Sequence, residues 1–125
     1  MKYYHLSIFT NAETYHKVSD ILQLTPLEER ESHLYEKFGV WTYSVSESEE
    51  EDGPYFDFIN TFLDVLDLHF VSLEELGINK TDIQFWYLYE YEHQCWMEFH
   101  PQQMSRLGLS GINLNIDCWE KKAGR

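Results

Sequence analysis

The chain has 125 residues, enough to bury a real core without metal or disulfide staples, and 17% of them are aromatic. Nine Lys and Arg stand against 22 Asp and Glu, a net charge of −13 with His neutral. That surplus serves solubility and excludes nucleic acid and anionic membrane as natural partners, because their phosphate field adds to the protein's own; basic partners are favoured instead.

Met1 to Ser7 lack the basic-then-apolar order of a signal peptide, and no apolar run reaches membrane-spanning length, so a cytoplasmic location is expected. Tyr3 to Thr10 alternates weakly and is rich in aromatic and branched residues, the pattern of a strand. Asn11 can cap the helix that follows, where Glu13 to Leu24 places Tyr15, Val18, Ile21 and Leu22 on one stripe. Thr25-Pro26 stops it, since a residue before proline is pushed out of the helical region.

Residues 27–37 are charged and weakly patterned, as in a loop. Gly39 to Ser46 resumes as a strand with Trp41, Tyr43 and Val45 on one face. An acidic low-complexity segment follows, carrying Glu47, Glu49, Glu50, Glu51 and Asp52; adjacent like charges repel, so an exposed loop is expected. Pro54 then opens the best helix of the chain, Tyr55 to Phe70, in which Phe56, Ile59, Phe62, Leu63, Leu66 and Phe70 recur at helical spacing. Ser72 to Gly77 reads as a helical turn ended by its glycine.

From Ile83 the alternation is long, with Phe85, Tyr87, Tyr89 and Tyr91 to one side and Trp86, Glu90 and Glu92 to the other. A turn at Glu92-His93 is expected to return the chain as an antiparallel hairpin, with Cys95, Met97 and Phe99 facing the core and Trp96, Glu98 and His100 away from it. Pro101 starts a short helix that Gly108 ends. Gly111 introduces the last strand, with Ile112, Leu114, Ile116 and Cys118 inward and Asn113, Asn115, Asp117 and Trp119 outward. Residues 119–125 read as a frayed tail. The order of parts implies a single α+β domain over 1–125, a two-layer sandwich with helices packed on one face of a mostly antiparallel sheet.

Chemistry is hard to find in this pattern. The six histidines (His5, His16, His33, His69, His93 and His100) form no ligand pair at metal spacing. The acidic loop does not match an EF-hand, and no glycine-rich phosphate loop occurs. Ser110 precedes a strand rather than a helix, unlike a nucleophile elbow. Cys95, placed on a core-facing strand, is expected to be an inert reduced thiol, with a cross-strand disulfide to Cys118 as the alternative. No metal and no cofactor are therefore expected.

The run Asp20 to Pro26 (DILQLTP), Trp41, and FHPQQMSRLGLSGINLNIDCW at 99–119 together resemble the bacterial domain-of-unknown-function family 4279, across nearly the whole chain. The sequence departs from that pattern at Gln23, where glycine is common, and in its acidic loop. The resemblance implies the fold and a bacterial origin, and carries over no catalytic residue. Small acidic bacterial domains of this kind are also similar to the immunity proteins paired with secreted toxins.

The leading expectation is a non-enzymatic immunity protein, monomeric or homodimeric, that binds a basic toxin domain such as a nuclease. Its interface would draw on Glu49, Glu50, Glu51 and Asp52 of the loop, and on Trp86, Glu90, Glu92, Glu98, Asp117 and Trp119 of the outward sheet face, where aromatic anchors mix with steering acids. The alternative is a small-ligand-binding or enzymatic domain with an aromatic pocket, using Tyr87, Tyr89, Trp41 and His100 as polar handles.

Overall fold

The computed structural model describes residues 1–27, 38–47 and 56–122. In chain order these form β1 (Lys2–Phe9), α1 (Tyr15–Leu22), β2 (Val40–Glu47), α2 (Phe58–Asp67), α3 (Phe70–Glu75), a 3-10 turn (Lys80–Asp82), β3 (Ile83–Tyr91), α4 (Pro101–Ser110) and β4 (Asn113–Glu120). The sheet has four strands in the order β2-β1-β3-β4. Strand β1 pairs antiparallel with both β2 and β3, whereas β3 pairs parallel with β4. The fold is therefore α+β with a mixed, mostly antiparallel sheet. Among the described residues no helix is long and apolar enough to cross a membrane.

Register carries the period-two pattern of each strand across the sheet. Tyr4 lies between Val45 and Tyr87, Leu6 between Tyr43 and Phe85, and Ile8 between Trp41 and Ile83. These residues make the buried face. Helix α2 lies on it through Phe58 and Phe62, whose rings meet Phe85 at 6.5 and 5.4 Å between centroids. Helix α1 lies over Trp41, whose Nε1 donates to Ser19 Oγ at 2.9 Å. One core cluster joins all of this with Val18, Leu63, Leu66, Leu73, Ile78 and Ile112.

Local chemistry explains the helix ends. Asn11 Oδ1 accepts from the amides of Glu13 and Thr14, forming the turn that leads into α1. Gln23 closes that helix in the left-handed region at φ 57. Asp57 caps α2 by accepting from the Asn60 amide at 3.1 Å. Pro54 and the acidic residues 49–52 lie outside the described residues.

Three expectations are corrected. The antiparallel hairpin does not form: residues 94–100 carry no strand, and the place beside β3 belongs to β4, reached by a crossover through α4. Parallel neighbours require such a crossover. The alternation of Met97 and Phe99 is real but records packing on the core, with the Phe99 ring 6.3 Å from those of Phe58 and Tyr87. Second, Gly108 sits inside α4, which ends at Gly111, where φ is +77. Third, Ile116 and Cys118 are exposed although they occupy the core-side phase of β4. Helix α4 buries no residue of its own; Leu107 packs against the core and Arg106 bonds to α2. The strand also runs on through Glu120, past the expected start of fraying, and the Lys121 amide donates to Tyr91 O at 2.7 Å.

Candidate protein-interaction face

The opposite phase of the same strands forms the second face. Its rows are set by register: Tyr3 beside Leu88 and Leu88 beside Asp117; His5 beside Trp86 and Trp86 beside Asn115; Glu90 beside Trp119. None of these residues is buried. The expected members Trp86, Glu90, Asp117 and Trp119 are thus brought together on two adjacent parallel strands.

Glu90 is the best-anchored acid of the group. Its backbone amide donates to Met1 O, and its carbonyl accepts from the Met1 terminal ammonium, both at 2.9 Å. Its carboxylate accepts from Trp119 Nε1 at 3.3 Å. Beside this pair lies a shallow groove of about 300 Å³ lined by Glu90, Trp119, Glu120, Lys121 and Lys122. Glu92, one residue past β3, pairs with Lys121 Nζ at 3.5 Å and frames the same end. Farther along, Asn115 Nδ2 donates to Gln84 Oε1 at 3.3 Å. Desolvation holds the His5 imidazole below its ordinary pKa, so the ring beside Trp86 favours the neutral form.

Two groups of expected residues fall elsewhere. Glu98 belongs to the crossover, next to Phe99 on the core side, and does not join the strand rows. Glu49, Glu50, Glu51 and Asp52 lie outside the described residues. Sequence reasoning missed the share of β1, which adds Tyr3, His5 and the exposed Phe9. The signal was the other phase of the Tyr3-to-Thr10 alternation, but only strand order places it beside β3.

The edges of the sheet differ. At β2 the Leu27 amide donates to Thr42 O at 2.7 Å, so the chain after α1 covers part of that edge. Strand β4 pairs with β3 alone among the described residues, in continuous register from Asn113 to Glu120. It contains no Lys, no Pro and no bulge, and Asp117 and Glu120 are its charged residues.

The four residues named for an aromatic pocket are not gathered in one place. Trp41 and Tyr87 stand on strands separated by β1 and at different levels, beside Ile8 and Tyr4 respectively. Tyr89 is buried in the core, and His100 is exposed at the start of α4. The Tyr4 hydroxyl donates to Glu47 Oε2 at 3.1 Å; burial, with Tyr87 and Glu47 beside it, drives its pKa far upward and keeps it protonated. Among the described residues no group of three or more His, Cys, Asp and Glu converges as a metal site.

No family model matches the chain, and neither the curated proteins nor the solved structures contain a match to it.

Proposed function

We propose that this chain is a non-enzymatic bacterial immunity protein, acting in the cytoplasm, that binds a basic toxin domain and blocks it. The observation that carries the reading is the exposed face on which Trp86, Glu90, Asp117 and Trp119 share two adjacent strands. Large aromatics there supply anchors that bury well against a partner, and the acids between them set orientation. A net charge of −13 draws a basic domain in from a distance. If the toxin is a nuclease, carboxylates stand where that enzyme expects phosphates. The β4 edge, paired with β3 alone among the described residues, offers an extended segment of the partner a strand to pair with. The resemblance to family 4279 belongs to the same proposal.

Co-expression with the protein encoded immediately upstream tests it. The expected result is a complex that co-purifies, a calorimetric Kd in the nanomolar range, and rescue of cells that express the partner. Association slows as salt rises, because steering acts through screened charge. Neither binding nor rescue with that protein would end the reading.

A further inference from the structure

Along the last strand the core-side residues lose their cover one after another. Ile112, just before β4, is buried; Leu114 is half-buried against the core; Ile116 and Cys118 are exposed. Among the described residues the outer edge of β4 has no neighbouring strand, and its pairing with β3 runs in unbroken register over Asn113–Glu120. The amides and carbonyls along such an edge are a template for a further strand.

We propose that a second copy of this chain pairs there, β4 antiparallel to β4, so that two four-stranded sheets continue into each other about a twofold axis. A closed dimer needs a self-complementary edge, and the sequence of β4 selects one register. Residues directly opposite in antiparallel strands share a face, so an axis normal to the sheet passes through a residue paired with its own copy. Axes at or beyond Asn115 and Cys118 pair at most five strand residues, 113–117 or 116–120. An axis through Asp117 pairs seven, 114–120, but sets two carboxylates face to face. An axis through Ile116 also pairs seven, 113–119, and sets the exposed isoleucine on its own copy. Leu114 then meets Cys118 on the core side, while Asn115 meets Asp117 and Asn113 meets Trp119 on the other. Glu120 falls level with Ile112, so no acid of the strand faces an acid. The second copy thereby gives Ile116 and Cys118 the apolar neighbours that their own chain does not.

Each copy carries a charge of −13, so repulsion opposes the pairing and salt relieves it. Main-chain bonds along one edge, rather than a broad apolar area, hold the dimer, which therefore forms and dissociates with concentration. An extended segment of a toxin would compete for the same edge, but the dimer is independent of the immunity reading and is tested without a partner.

Sedimentation equilibrium of the full chain alone is the test. Expected is a rise with concentration from 15.1 kDa towards twice that mass, and a dimer fraction that grows with salt, opposite to the association of a basic partner. Ile116→Lys should stay monomeric where the parent chain dimerises, with an unchanged circular-dichroism spectrum. In a background of Cys95→Ser and Cys118→Ser, Ile116→Cys should oxidise to a covalent dimer at least ~10-fold faster than Leu68→Cys, because pairing raises the effective concentration at the axis. A monomer at every concentration and salt, a dimer that survives Ile116→Lys, or equal oxidation of the two cysteine variants would overturn the proposal.

Discussion

Trp119 donates its indole N–H to the Glu90 carboxylate across two parallel strands, at 3.3 Å. The bond leaves the ring partly exposed while limiting the orientations it can take. An anchor held this way loses less side-chain freedom on binding than a free indole would. Its acid partner is positioned in turn by Met1, which bonds both polar groups of the Glu90 backbone.

Trp119→Ala should therefore weaken the complex with the cognate basic partner by about 2 kcal/mol, roughly 30-fold in Kd. Stability should move by no more than about 0.5 kcal/mol, since the side chain is outside the core. Calorimetry and urea denaturation on the same variant separate these effects. The double change Glu90→Gln, Asp117→Asn should instead slow association and flatten its salt dependence.

Arg106 joins α4 to α2 by donating to Asp64 Oδ1 at 2.7 Å, Asp67 Oδ2 at 2.8 Å and Asn60 Oδ1 at 2.8 Å. The two acids are well exposed, so solvent screening keeps each pair weak. Arg106→Ala should cost about 1–2 kcal/mol as the whole fork is lost, and amide exchange in α4 should accelerate. Lysine at this position should recover little, because a single ammonium cannot reach three acceptors in a planar fork.

At Gln23 the chain holds a non-glycine residue at φ 57. The left-handed conformation disfavours any side chain with a Cβ, and glycine carries no such penalty. Gln23→Gly should raise stability by about 0.5–1 kcal/mol in urea melts, reduced somewhat by losing the Nε2 bond to Asp20 O. A fall in stability would mean that the side-chain bond outweighs the backbone strain.

Acid should destabilise the fold in two steps. Burial holds the His5 pKa below its ordinary 6.5, and register places Ser44 and Trp86 beside it, neither an acid. As pH falls below about 6.5 the unfolded chain takes up this proton before the folded one, so stability declines. Burial works to raise the Asp57 pKa, but hydrogen bonds from Asn60 and Gln103 and the Arg106 charge outweigh it and hold the group below its usual 3.8. Its contribution is complete above that value and is lost as pH falls through the depressed one. His5→Gln should flatten the first limb of a stability-against-pH curve, and Asp57→Asn the second.

Leu63 in α2 is 1% exposed, and Leu63→Ala should cost about 3–5 kcal/mol, the loss of buried methyl groups plus the cavity they leave. Thermal and urea unfolding read this directly. Leu68, the residue that follows α2, is 80% exposed and provides the control, since Leu68→Ala should be nearly neutral.

The sequence by itself determined which face of α2 and of β3 is buried. The stripe of Ile59, Phe62, Leu63 and Leu66, and the alternation from Ile83 to Tyr89, follow from the periods of helix and strand, which are local properties. Strand partnership is not local. Alternation at Met97 and Phe99 looks the same whether a segment pairs with a strand or merely lies on a core, because period two reports burial and not hydrogen bonding. Only the tertiary structure decided that β4 lies parallel beside β3, and with it that Trp119 meets Glu90. Ile116 keeps the phase of a core residue and is nonetheless exposed on that strand.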